Sequence, residues 1–364
     1  QEFLRIPSVL DESRAREGAP FGPAINEAME YLLGKCEEAG FATKRFAGYA
    51  AHAEYGAGEE LVGILCHVDV VPPGDGWTSP PFEPSIRENR IYARGAIDDK
   101  GPTMAAFYAL KIVKELGLPL RRRVRLILGG DEESQWRCMK RYFAEEEMPT
   151  LGFAPDAVFP LIFAEKGILD VTLVQKEVQE RKAPPCGVTL RSFQSGIRRN
   201  MVPDQAVAQL TGAEEALEHL RQRFVSYLKE KGLTGEAKRE AGSLTLELKG
   251  KAAHGMEPHK GINAGLFLAH FLAQGELDPR GKGYVTFLDQ TLFADTRGNA
   301  LGIACEDEVT GPLTVNVGLM NYTGADSAQQ GSVALNIRYP VTAAFEQLLE
   351  NLERRLAPSG FVLA

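Results

Sequence analysis

Leu61-Val62-Gly63-Ile64-Leu65 is an unbroken apolar run that ends in Cys66-His67-Val68-Asp69. A short run without polar alternation fits a strand buried on both faces, as in a parallel or mixed sheet. Outward from it, residues 124–128 and 157–163 have the same character, while residues 103–116 carry apolar side chains at helical spacing and stop at Gly117 and Pro119. Strands that alternate with helices predict an α/β sheet. Such sheets bind ligands at the carboxyl ends of their strands, and His67, Asp69, Glu132 and Glu133 each fall just past such an end.

From about Ile168 the texture changes. Residues 168–174 and 244–248 mix apolar and polar side chains in near alternation, as half-exposed antiparallel strands do, with a helical pattern over 214–231 between them. Residues 332–337 alternate again, and Phe345, Leu348, Leu349, Leu352 and Leu356 mark one face of a helix for which Thr342 is the expected cap. The reading is two domains, an α/β domain over 1–167 and an α+β domain over 168–364. A chain of 364 residues agrees with that, being longer than one core usually organises.

With 49 acidic and 41 basic residues the formal net charge is -8, which argues against nucleic acid or an anionic membrane as the main partner. No apolar stretch reaches the roughly 18 residues of a membrane span, and residues 1–30 lack the basic-then-apolar plan of a secretory signal. A cytoplasmic protein acting on small molecules is expected. Cys36, Cys66, Cys138, Cys186 and Cys305 show neither pairing nor zinc-finger spacing, so reduced thiols are expected. The chain opens Gln1-Glu2-Phe3-Leu4, without an initiator methionine and inside the pattern of a helix end, so residue 1 is not expected to be the native start.

Four acidic segments carry the chemistry: Cys66-His67-Val68-Asp69, Asp98-Asp99-Lys100-Gly101, Asp131-Glu132-Glu133-Ser134 and Pro155-Asp156-Ala157. A divalent metal pair needs oxygen and imidazole ligands, with one carboxylate bridging ions about 3.5 to 4 Å apart. His67, Asp98, Glu133 and Asp156 are the candidate ligands. Asp69, two residues beyond His67, is placed to accept the second ring N–H and fix the tautomer. Adjacent Glu132 and Glu133 point differently, so one can bind metal while the other, Glu132, acts as general base toward water. Alone, a His-x-Asp or a Glu-Glu pair is ordinarily structural or solvated; all four segments in this order are not explained that way.

The segments GILCHVDVVPPGDG (63–76), ARGAIDDKGP (93–102), GGDEES (129–134) and GFAPDAVFPLIFAEKG (152–167) closely resemble the M20 metallopeptidases, most of all the dipeptidase V branch, which also hydrolyses carnosine-like dipeptides. The resemblance runs over nearly the whole chain. It implies a zinc-exopeptidase-like mixed sheet with an inserted ferredoxin-like α+β lid. It also implies that His67 and Asp156 hold one zinc, Glu133 the other, and Asp98 bridges them, with manganese or cobalt able to serve. Glu132 would be the base and Asp69 would orient His67.

In the lid, Gly250-Lys251-Ala252-Ala253-His254-Gly255 matches the segment whose histidine stabilises the tetrahedral intermediate, which makes His254 the oxyanion candidate. Asn200, in Asn200-Met201-Val202-Pro203, matches a residue that holds the substrate carbonyl. Arg338, in Asn336-Ile337-Arg338-Tyr339-Pro340, matches one that grips the dipeptide's free carboxylate, a task suited to a guanidinium fork. His52, His219, His259 and His270 match no ligand position.

The sequence departs from the family in one respect. The family's fifth protein ligand is a histidine past the lid, in the segment that completes the catalytic sheet, whereas the last histidine here is His270. One metal position keeps His67, Asp98 and Asp156, and the other only Asp98 and Glu133. The expectation is a fragment of a longer protein; a truncated inactive variant, or completion by another chain, are the alternatives.

The function expected is a monomeric dipeptidase acting on short peptides with a free carboxylate. The alternatives are an N-acyl amino-acid deacylase, whose second domain is usually smaller and dimerises, and an inactive binding module.

Overall fold

The computed structural model describes residues 1–74, 76–158, 160–176, 187–324 and 331–364. Asp75 and Phe159, within two of the quoted segments, and Cys186 lie outside the described residues. Two compact units result, Gln1–Ile162 and Phe163–Ala364.

The first unit runs α1 (Glu2–Arg5), α2 (Pro23–Glu38), β1 (Ala42–Phe46), β2 (Ala50–Tyr55), β3 (Leu61–His67), β4 (Ser85–Arg87), β5 (Arg90–Tyr92), α3 (Lys100–Glu115), β6 (Arg123–Gly129), α4 (Arg137–Tyr142) and β7 (Leu151–Phe153). Its sheet has the order β1-β2-β6-β3-β7, with β3 parallel to both β6 and β7 and with β1 and β2 antiparallel. It is therefore a mixed sheet. Strand β3 occupies an interior position, which is why it has no polar face: Leu61, Ile64 and Cys66 are all buried. Gly63 and Gly152 let β3 and β7 approach closely, since a Cβ on Gly152 would meet the Gly63 carbonyl oxygen at 2.5 Å. Helix α3 starts directly behind Asp98-Asp99 and stops before Gly117, whose φ of +61° suits glycine.

One expected strand is absent. The described residues of 157–163 form no strand, and Leu161 and Phe163 are 74% and 82% exposed. The third parallel strand is instead β7, immediately before Asp156. An apolar run becomes a strand only where a neighbour offers backbone partners, and Val62, Gly63 and Ile64 are register partners of Leu151, Gly152 and Phe153.

A charged network braces the sheet away from the acidic segments. Arg125, with a side chain 5% exposed, donates from Nε to Glu54 at 2.7 Å and from Nη1 to Glu146 at 2.9 Å and to the Tyr142 hydroxyl at 3.2 Å. His52 Nδ1 lies 2.8 Å from the same hydroxyl, and burial, aided by the Arg125 charge, pushes its pKa down to about 4. Removing one partner of a buried ion pair leaves the others uncompensated. Arg125→Ala is therefore expected to destabilise the fold by about 3 kcal/mol, read as an earlier urea transition. A change below about 0.5 kcal/mol would show that water takes over the arginine's role.

The second unit contains β8 (Gly167–Gln175), β9 (Val188–Ser195), β10 (Gln205–Gly212), α5 (Glu214–Lys231), β11 (Thr234–Glu240), β12 (Ser243–Lys249), α6 (Ala264–Ala273), α7 (Pro279–Phe287), β13 (Glu306–Asp307), β14 (Gly311–Pro312), β15 (Thr314–Thr323), β16 (Ser332–Tyr339), α8 (Phe345–Leu356) and β17 (Phe361–Leu363). Eight strands form one sheet in the order β11-β12-β10-β9-β15-β16-β8-β17, and every pairing is antiparallel. Helices α5 and α6 lie side by side, with Phe224 and Tyr227 against Phe271, and pack on β10 and β12. Thr342 does not cap α8. Its N–H and hydroxyl both donate to Asp307 Oδ2, at 3.2 and 3.0 Å, and Ala344 takes the cap position without a side-chain bond. A carboxylate from the neighbouring turn out-competes the helix end for this threonine. Among the described residues no helix is long and apolar enough to cross a membrane, and Cys36, Cys66, Cys138 and Cys305 are free thiols.

Candidate metal centre

In the first unit the four acidic segments meet around one imidazole. His67 ends β3, and its Nε2 lies 3.1 Å from Asp98 Oδ1, 3.4 Å from Asp156 Oδ2 and 3.9 Å from Glu132 Oε2. Two groupings bring donor atoms within 4.8 Å of one another: His67 with Asp98 and Glu133, and His67 with Glu132 and Asp156. All four expected ligands thus converge, and the adjacent glutamates fall into different groups. Cys66 joins neither; it is buried, and burial pushes its thiol pKa up.

Asp69 does more than was expected of it. The Nδ1 of His67 lies 3.0 Å from the Asp69 main-chain oxygen and 3.4 Å from its carboxylate. The two carboxylate oxygens accept the backbone N–H groups of Glu132 at 3.1 Å and Glu133 at 3.0 Å. One buried residue thereby sets both the imidazole and the paired glutamates.

Several supports were not foreseen. Asp131, fully buried, accepts from the Cys138 N–H at 2.8 Å and from Arg137 Nε at 2.8 Å, which fixes the turn that carries the glutamates. Asp99 accepts from the His67 N–H at 3.2 Å and the Thr103 hydroxyl at 3.0 Å, and the Asp98–Asp99 peptide is cis. Lys100, also buried, donates to the carbonyls of Phe3 at 3.2 Å and Ile6 at 2.6 Å and so ties the N-terminal segment beneath the site. The sequence signal for these was a charged residue beside a ligand, which is too common to single out.

The electrostatics fit a divalent pair. Burial raises the pKa of Glu133 to about 7, helped by the charge of Asp98, and burial also raises that of Glu132. Burial disfavours an imidazolium at His67, but the hydrogen bonds that Asp156, Asp69 and Asp98 accept from it outweigh this, and the net direction is up. Hydrogen bonding to His67 holds Asp98 below its usual range. Carboxylates in excess of one imidazole, in a half-buried setting, are the donor set that hard and borderline divalent ions select.

A metal would have to displace the protons on Glu133 and His67. Affinity is therefore expected to fall as pH drops below about 7. Competition with a chelator across pH 5.5 to 8, roughly, checks this; affinity that stays flat would contradict it.

The second unit carries the remaining candidates. Met201 and His254 form an antiparallel bridge, and the Gly255 N–H donates to the Asn200 carbonyl at 2.7 Å. The Met256 N–H donates to His254 Nδ1 at 3.2 Å, so the ring proton of the neutral form resides on Nε2. Burial and then the charge of Arg338 lower the His254 pKa. Arg338 is half-buried, has no ion pair among the described residues, and is itself lowered by burial. The unit thus brings His254 next to Asn200 and within electrostatic reach of Arg338.

The sequence profile of peptidase family M20/M25/M40 matches residues 63–361. The chain belongs to that family. A Bacillus subtilis protein provisionally named as the dipeptidase YtjP is 53% identical over 353 residues, spanning 97% of this chain and 75% of its own length. A provisionally named dipeptidase of Staphylococcus epidermidis is 44% identical over 361 residues, or 99% of this chain and 76% of its own. Among solved structures, aminoacylhistidine dipeptidase from Vibrio alginolyticus is 15% identical with a TM-score of 0.46, over 100% of this chain and 77% of that one.

Within the M20 setting, Asp69 gives a direct test. Outer partners of metal ligands typically contribute about 10 to 100-fold in affinity. Asp69→Ala is expected to lose that much, measured by zinc titration of the metal-free protein, and an unchanged affinity would contradict its role.

Proposed function

We propose that the protein is a metal-dependent dipeptidase of the M20 family, of the dipeptidase V branch. It would act as a cytoplasmic monomer on short peptides with a free C-terminal carboxylate. The observation that carries this reading is the convergence of Asp98, Asp156 and Glu132 on His67 Nε2, with two donor groups sharing that imidazole: His67 with Asp98 and Glu133, and His67 with Glu132 and Asp156. The names of the relatives support the substrate class.

His67, Asp98 and Asp156 would hold one ion and Asp98 with Glu133 the other, with zinc favoured and manganese or cobalt able to serve. When bound, the pair supplies Lewis-acid polarisation of the scissile carbonyl and acidifies water. With two carboxylates assigned to it, the second ion would be held weakly by these residues alone, and the reading keeps the expectation of a further histidine ligand.

The chain's own residues divide the remaining work. Glu132 takes a proton from the attacking water and returns it to the leaving amine; its raised pKa suits an acid–base group. Asp69 holds the peptide N–H groups of both glutamates and so fixes the backbone from which the base projects. His254, protonated at Nε2, donates to the oxygen that gains charge. Asn200 holds the substrate carbonyl, and Arg338 pairs with the terminal carboxylate.

The test is amino-acid release by the purified native gene product in zinc or manganese. Turnover of dipeptides and not of N-acetyl or N-succinyl amino acids is expected. The opposite preference would establish the deacylase reading, and no release from either class would establish a binding module.

A further inference from the structure

Two buried asparagines stand opposite one another on neighbouring strands of the second unit's sheet. Asn316 on β15 and Asn336 on β16 are register partners, exposed by only 1% and 2%. Their neighbours Val315, Val317, Leu335 and Ile337 belong to the core, so by strand alternation both asparagines face the opposite side of the sheet. Burying a polar amide there costs free energy unless it is hydrogen-bonded, so the partners of each amide matter.

Each asparagine is bonded to a segment that carries a proposed substrate group. Asn316 Nδ2 donates to the carbonyls of Arg199 at 2.7 Å and Met201 at 2.9 Å, the residues on either side of Asn200. Its own oxygen has no partner among the described residues, so these two donations govern its orientation. Asn336 Oδ1 accepts from Arg338 Nε at 3.1 Å, and Asn336 Nδ2 donates to Asp170 Oδ1 at 2.6 Å. Asp170 thus fixes which end of the amide faces the guanidinium. With Nε engaged, the Nη atoms are the donors left for a ligand.

We propose that Asn316 and Asn336 form a cross-strand positioning pair that sets the spacing between Asn200 and Arg338, and with it the preference for a substrate whose free carboxylate lies one residue beyond the scissile carbonyl. This rests on the roles given above to Asn200 and Arg338. The pair acts through those residues and does not touch substrate. Because the two asparagines are fixed to one another by the β15–β16 ladder, the distance from carbonyl to carboxylate is held by backbone rather than by long side chains.

The test compares a dipeptide with its C-terminal amide in the native gene product, and adds calorimetric binding of a non-hydrolysable phosphinic dipeptide analogue in both forms. Asn336→Ala is expected to raise KM for the free acid by about tenfold, weaken the acid analogue equally, and leave kcat and the amide within about twofold. Asp170→Ala, at an exposed residue that should not endanger folding, is expected to raise the same KM about threefold.

Arg338→Ala separates the levels. If it abolishes discrimination between acid and amide while both support variants keep wild-type discrimination, the positioning pair is overturned and the role of Arg338 stands. If Arg338→Ala itself keeps the discrimination, the role of Arg338 fails and the inference with it. Equal losses on acid and amide in Asn336→Ala would also overturn it, because that marks a general structural defect.

Discussion

Glu132→Gln is expected to lower kcat by about 10²- to 10⁴-fold while the metal content stays at the wild-type level. The substitution keeps the size of the side chain and removes its ability to take a proton. Glu132 lies 3.9 Å from His67 Nε2, farther than Asp98 at 3.1 Å and Asp156 at 3.4 Å, which suits a group that faces water beside the ligands. The same geometry contains the rival reading, since Glu132 groups with His67 and Asp156. Loss of metal in the variant would make Glu132 a ligand. Turnover within about threefold of wild type would remove it from the reaction.

The second large effect is at His254. His254→Ala is expected to lower kcat by about 10²- to 10³-fold, the usual loss for one oxyanion donor, with KM little changed. The Met256 N–H occupies Nδ1 and leaves the proton on Nε2, while burial and the Arg338 charge keep the ring neutral over more of the pH range. A donor that bonds the developing charge acts only in the transition state, so its removal belongs in kcat. His254→Gln, which retains an N–H donor, should recover part of the loss. A rise in KM with kcat unchanged would instead make His254 a ground-state contact.

The parts of this molecule legible in its sequence were those governed by local periodicity. An unbroken apolar run places β3 inside a sheet, and helix α5 begins at Glu214 and ends at Lys231 as its pattern indicates. The candidate cluster was legible because its residues sit beside ordered elements: His67 ends β3, Asp98 lies just ahead of α3, and Glu133 and Asp156 come within a few residues of the ends of β6 and β7. What failed depended on distant partners. Residues 157–163 look like a strand, yet the described residues among them pair with no neighbour, and Thr342 looks like a cap until Asp307 is placed beside it.

Asp69 shows an intermediate case. Its spacing from His67 indicates contact with the ring, yet its carboxylate is occupied by the N–H groups of Glu132 and Glu133, more than sixty residues away. Asn316 and Asn336 left no usable mark, because their meaning lies in a cross-strand register. A polar residue between valines, or between leucine and isoleucine, reads from sequence alone as a strand's wet side.

Metal stoichiometry in ligand variants tests the two-metal centre most directly. Metal-free native protein titrated with zinc is expected to take up two ions, Glu133→Ala one, and Asp98→Ala neither with appreciable affinity, because the proposed centre shares Asp98 between the two positions. Retention of a tightly bound ion in Asp98→Ala, or equal losses in the two variants, would contradict a bridged pair at these residues.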